Sequence, residues 1–157
     1  MEIRIKRTHP DAIIPTRSKP GDSGLDLHAL LPDGPAYLQP GSRRLIRTGI
    51  AIELPEPHPI RLLGHGVALS GFEGQVRPRS GLADKVGIQA CLGTIDNGYR
   101  GEIMVNLFNL SFDSCKVNHG DRIAQLVICP VVYPTVIEVE ELTPTERGEA
   151  GFGSTGL

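Results

Sequence analysis

Arg43-Arg-Leu-Ile-Arg-Thr-Gly-Ile-Ala-Ile-Glu53 is dense in β-branched residues, and Gly49 is its only break. It reads as a long strand interrupted at the glycine, because Ile and Thr suit a pleated, half-buried surface. The same character appears on both sides. Glu2–Lys6 alternates cleanly, and Glu102–Leu110 alternates through Ile103, Val105 and Leu107. Strands are also expected over Arg122–Cys129 and Val131–Val139, with an edge or bulge at Pro134. Nineteen glycines and thirteen prolines leave no room for a long amphipathic helix. One short helix is expected over Ser80–Gly87, capped by Ser80 and stopped by Gly87. These features predict an all-β fold, a jelly-roll-like barrel or sandwich with one short helix and a flexible C-terminal arm. Residues 56–70, with Pro57-His-Pro59 and Gly64-His-Gly66, read as an inserted loop or short hairpin.

At 157 residues, 39% of them hydrophobic, the chain is expected to be one domain, 1–157, with a real core. A net charge of -2 gives no general attraction to nucleic acid or anionic membrane, so binding of anions must be local. No apolar run spans a bilayer and MEIRIKRTHP has no signal-peptide core, so a cytoplasmic protein is expected. Cys91, Cys115 and Cys129 have neither disulfide arithmetic nor zinc spacing, and are read as small buried thiols.

Five segments carry residues suited to phosphate chemistry. Asp26 lies between Leu25 and Leu27 on a short strand, where it is either a solvent-facing aspartate or a carboxylate anchor for a hydrated magnesium ion. Arg79, Ser80 and the amides of Gly81 and Leu82 open the short helix, where unpaired N–H groups favour phosphate. Asn97-Gly98 is a strong turn signal and predicts a hairpin over Gly93–Glu102. That hairpin brings Asp96, a candidate base, near Tyr99, a ring able to crowd out an extra sugar hydroxyl. Gln125 interrupts an apolar strand and needs a partner, from the backbone or from a ligand. The tail Arg147-Gly-Glu-Ala-Gly-Phe-Gly-Ser-Thr-Gly156 cannot build a core, but offers free amides, two hydroxyls, a guanidinium and one aromatic ring.

In this order the segments resemble the five motifs of the trimeric deoxyuridine triphosphatase (dUTPase) family, most specifically in PRSGLA, GTIDNGYRGE and RGEAGFGSTG. The resemblance implies a jelly-roll homotrimer with shared active sites that hydrolyses dUTP to dUMP and pyrophosphate with Mg2+. It implies that Asp26 holds the metal through water, and that Arg79, Ser80, Gly81 and Gln125 bind the triphosphate. Asp96 would activate water, Tyr99 would exclude ribonucleotides, and Ile95 with the hairpin backbone would read uracil. Arg147, Phe152, Gly153, Ser154 and Thr155 would close over the nucleotide from another subunit. Two features depart from the family pattern. Ala90 stands where an asparagine is usual, with Gln89 as a candidate substitute, and residues 56–70 replace a short turn.

Two other functions are compatible with parts of the sequence. A dCTP deaminase of related architecture would need a glutamate after the aspartate, for which Glu102 is the candidate, and would usually carry His-Arg at the positions of Gly93-Thr94. A nucleotide-responsive interaction protein would use residues 56–70 as its contact surface.

Overall fold

The computed structural model describes residues 2–62, 66–146 and 148–149. Its elements run β1 (Arg4–Arg7), β2 (Leu25–His28), β3 (Ala36–Leu38), β4 (Arg43–Arg47), β5 (Ile50–Glu53), β6 (His58–Leu62), β7 (Gly66–Arg77), α1 (Ser80–Val86), β8 (Ile88–Ala90), β9 (Gly93–Ile95), β10 (Met104–Asn109), β11 (Cys115–Val117) and β12 (Arg122–Tyr133). The largest sheet has the order β2-β12-β7-β6, with β9 also on β7. Smaller sheets pair β4-β10-β8, β1-β5 and β3-β11, and no sheet among the described residues closes into a barrel. Among the described residues, no helix is long and apolar enough to cross a membrane.

The long strand expected over Arg43–Glu53 is two strands in different sheets. Gly49 sits at φ 68°, and a Cβ there would meet Ala12 and Leu30 below 3 Å, so the chain turns where only glycine fits. Thr48 is buried beside it, and its hydroxyl donates to Ile103 O at 2.6 Å. β10 then alternates as its sequence does: Val105 and Leu107 are wholly buried, and Met104 and Phe108 face outward. Leu27, Leu38, Ile46, Ile88, Ile103, Ile123 and Leu126 join them in one apolar cluster fed by every sheet. Leu107→Ala is expected to cost about 2–5 kcal/mol, the usual range for truncating a closed core site. Urea unfolding followed by circular dichroism checks it.

β12 is one strand through Pro130, not two strands that part there, and it ends at Tyr133, just before Pro134 and short of the expected Val139. Beyond Leu126 it pairs with β7 alone, which leaves one side free of a ladder and lets a proline sit there. Residues 56–70 take the short-hairpin form of the two that were expected. β6 pairs with the first part of β7, and β7 continues without a break from Gly66 to Arg77, joining the hairpin directly to the segment that carries Arg79. Cys91 is exposed, and Cys115 and Cys129 are half-buried, so none is the buried thiol that its spacing suggests.

Candidate functional site

The first group of candidate residues forms across three strands. Asp26 pairs with Gln125, and Gln125 with Arg77, so the three share one face of the main sheet. A register shift between Arg122 and Ala124 decides what joins them. Regular alternation would send Arg122 into the core; the bulge instead buries both Ile123 and Ala124 and turns Arg122 onto the Asp26 face. Gly24 has a matching reason, since a Cβ there would lie 2.9 Å from the Gln125 side chain.

Asp26 is 3% exposed, so it is not a solvent-facing strand residue. Ser18 Oγ donates to its Oδ2 at 2.7 Å, and Arg122 Nη1 lies 3.3 Å from the same oxygen. Arg79 Nε is 3.1 Å from Oδ1, an ion pair too poorly aligned to be a hydrogen bond. Both of those atoms are therefore buried without a hydrogen-bond partner among the described residues. Burial alone would push the Asp26 carboxyl up, but the Ser18 bond and the two guanidinium groups outweigh it and hold the carboxyl below its ordinary value. His28 follows on the same strand. Burial, aided by the positive charge of Arg122 and Arg79, pushes it down against the pull of Asp26.

These two shifts have the same consequence for stability. A group depressed in the folded state stabilises the fold above its unfolded value and loses that contribution as pH falls. His28 therefore weakens the fold first, as pH drops below its ordinary 6.5, and Asp26 follows below 3.8. Thermal melts from pH 7 to pH 3 should show a decline in these two windows, and His28→Gln should remove the upper one.

Arg79, not Ser80, occupies the cap position of α1, with extended backbone and no side-chain cap bond. Ser80 is the first helical residue, and Gly87 ends the helix at φ 67° as expected. The amide of Leu82 is committed to Arg79 O at 3.1 Å and drops out of the anion-facing set, leaving the amides of Ser80 and Gly81. Space above Gly81 is open, since a Cβ there would meet nothing within 4 Å. A groove of about 920 Å³ runs along the flank of α1, with Arg79 and Arg122 at its edge.

The second group lies elsewhere. Asp96–Tyr99 is a turn closed by Tyr99 N donating to Asp96 O at 3.0 Å, yet it does not cap a closed hairpin. β8 pairs with β10 through Ala90–Leu107, and the strands then part: β9 ladders onto β7, and Met104 onto Arg47. The gap is a slot of about 410 Å³ lined by Gly93, Thr94, Ile95 and Asp96 on one side and Tyr99, Glu102 and Met104 on the other. Asp96 is exposed at this slot, and Tyr99 lays its ring against Gly101 and donates its hydroxyl to Glu102 O at 3.0 Å. Ala90 is buried in β8, whereas Gln89 is exposed on the opposite face, so Gln89 does not take the place of the usual asparagine.

Glu102 already has partners. It accepts from Arg47 Nε and Nη2 and from the Gly49 amide, at 2.8–3.2 Å. Burial would raise its carboxyl, but these donors hold it down. A general acid or base for deamination would have to break that fork.

Within one chain the two groups do not meet. Ile95 lies opposite Gly74, and Arg79 lies five residues further along the same extended segment. At ~3.3 Å per residue this separates Asp96 and Arg79 by roughly 15–20 Å. Ser18, Arg122, His28 and Gly24 were not among the sequence candidates. Arg147, Phe152, Gly153, Ser154 and Thr155 lie outside the described residues.

The dUTPase family model matches residues 10–156. Deoxyuridine 5'-triphosphate nucleotidohydrolases of Hydrogenobaculum sp. (strain Y04AAS1) and Clostridium novyi (strain NT) are each 45% identical over 159 residues, covering 100% of this chain and 99% and 100% of theirs. The dUTPase of Staphylococcus bacteriophage 80alpha, solved with dUpNHpp, superposes with a TM-score of 0.81 at 28% identity over 99% of both chains. Full-length likeness in sequence and fold, together with the slot and the arginine-bracketed aspartate, makes this chain a member of the dUTPase family.

Proposed function

We propose that the chain hydrolyses dUTP to dUMP and pyrophosphate, by attack on the α-phosphorus of a water held by Asp96. The carrying observation is the open slot between β9 and β10 with Asp96 beside it. Each facing strand edge keeps backbone donors and acceptors that no ladder uses, so a pyrimidine can be read by main-chain groups even though Ala90 offers none from its side chain. Tyr99 would close the sugar end of the slot, and Ile95 would line its floor. Asp96 takes the proton of the attacking water; the product oxygen stays on phosphorus, and pyrophosphate leaves.

The triphosphate would lie on Arg79, Ser80, Gly81 and Gln125, with Arg122 beside them. A hydrated magnesium ion fits this cluster, because Asp26 Oδ1 is a buried anionic oxygen with a lone pair unfilled. No three metal-binding side chains cluster among the described residues, so the phosphates and water would have to supply the remaining ligands. Bound there, magnesium would offset charge on the phosphate oxygens. Asp26 would hold it, and Arg79 would move from the carboxylate toward phosphate.

Separation of the two groups supports a site shared between copies of the chain, in the homotrimer that the family resemblance implies. A second feature supports assembly. Residues 134–142 leave β12 with Val136, Ile137, Val139 and Leu142 at 56–91% exposure, a cluster of apolar side chains with no partner among the described residues. The arm at Arg147–Thr155 would then reach a site on a neighbouring copy, with Phe152 over the base and Arg147, Gly153, Ser154 and Thr155 around the γ-phosphate.

Pyrophosphate release from dUTP, dCTP, dTTP and UTP, with and without Mg2+, tests the function. Magnesium-dependent release from dUTP alone is expected. Ammonia from dCTP would transfer the assignment to a deaminase, and tight dUTP binding without turnover would favour a nucleotide-responsive binding protein.

A further inference from the structure

The Asp96 carboxylate accepts no hydrogen bond among the described residues, so its position depends wholly on the turn that carries it. That turn is held from outside by Asn97. Its half-buried amide nitrogen donates to Pro55 O at 2.8 Å and to Phe72 O at 3.2 Å. The two carbonyls bracket the β6–β7 hairpin, one just before β6 and the other on β7 beyond their pairing. The stem they mark is itself fixed. A Cβ on Gly71 would lie 3.0 Å from the Tyr133 ring and 3.3 Å from Pro57, and Ser70 Oγ donates to Val131 O at 3.1 Å. A cavity of about 690 Å³ between hairpin stem and turn is lined by Glu56, Pro57, Leu69, Asp96 and Gly98, which places the two in direct apposition.

We propose that Asn97 is a positioning residue that sets the Asp96 carboxylate relative to the slot by clamping its turn to the hairpin stem. The inference rests on the reading of Asp96 as the base. Asn97 does not line the slot, so it acts through Asp96 and not on the nucleotide. Two donors from one side chain to two strands make the geometry specific: alanine removes both, and aspartate keeps the shape while facing two carbonyl oxygens with no proton to give. The hairpin of residues 56–70 is thereby tied to the catalytic frame, because the carbonyls that flank it, on Pro55 and Phe72, locate the turn.

Asn97→Ala and Asn97→Asp, each in the full chain, test this beside Asp96→Asn. Misplacing a reacting group by about 1 Å costs on the order of a hundredfold, so a fall in kcat of roughly 10- to 100-fold is expected for both Asn97 variants. KM and the affinity for a non-hydrolysable dUTP analogue should stay within about threefold, since the slot is untouched. Amide exchange at Tyr99, which closes the turn, should quicken. If either variant folds and keeps kcat within about twofold of wild type, the clamp does not position the base and the proposal fails. Parallel loss of analogue affinity, melting temperature and kcat would overturn it in favour of a general packing role. Retained activity in Asp96→Asn would remove the base itself, which identifies failure of the underlying reading and not of the clamp alone.

Discussion

Asp96→Asn is expected to lower the rate of pyrophosphate release by about two to four orders of magnitude, the scale for losing a general base, with analogue affinity nearly unchanged. The substitution is close to isosteric and leaves the turn intact, because the turn is closed by backbone Tyr99 N to Asp96 O and anchored through Asn97. What it removes is a proton acceptor. The wild-type carboxylate is exposed beside the slot and unengaged by any side chain among the described residues, which leaves its lone pairs available to a water. Glu102, the other carboxylate lining the slot, cannot substitute while Arg47 and the Gly49 amide hold both its oxygens. Steady-state turnover and analogue binding on the same preparation check the prediction. A variant that turns over dUTP within about tenfold of wild type would move the base elsewhere.

The strands around the site were legible because their apolar residues repeat with the period that a sheet face needs. Val105 and Leu107 are buried as their spacing requires, and Gly87 stops α1 where a left-handed residue is needed. Local signals failed where the outcome depends on which distant strand lies alongside. Asn97-Gly98 does specify a turn, but nothing in those residues says that β9 leaves β10 for β7, and that departure creates the slot. Arg122 was visible as a charge among apolar neighbours, yet its side of the strand was fixed only by a bulge that buries Ile123 and Ala124 together. That bulge had a sequence signal, since two adjacent apolar residues followed by Gln125 break alternation. Ser18 had none: it reaches Asp26 from a loop eight residues away. The cap of α1 went to Arg79 because its extended backbone decides the position, whatever Ser80 could have bonded. Asp26, Arg79 and Gln125 came together as expected, while Asp96 stands apart from them, a separation that a list of motifs cannot express.

That separation gives the second large effect. Arg79→Ala and Asp96→Asn should each be nearly inactive alone, and mixing them through reversible dissociation should restore activity. If each site takes its arginine from one copy and its aspartate from another, a 1:1 random mixture supplies both wild-type groups to roughly a quarter of the sites, given a symmetric assembly with heterologous contacts. If both groups came from one copy, no mixture would contain an intact site and activity would stay at the level of the parents. The outcome thus depends on geometry and not on how severe either substitution is. Arg79→Ala does carry a structural cost, because it leaves Asp26 Oδ1 with no cation nearby while Arg122 and Ser18 remain on Oδ2. Melting curves on the parents separate that cost from catalysis: a variant that folds but does not turn over dUTP is a valid donor of its intact Asp96. Recovery near one quarter would place the β9–β10 slot of one copy against the Asp26–Arg79–Gln125 face of another. Absence of recovery from well-folded parents would require the 15–20 Å between them to be closed within a single chain, at ~3.3 Å per residue a shift of roughly five residues along β7. Such a slip would pull Val76 from the core and break its ladder with β12, which makes the shared site the cheaper solution.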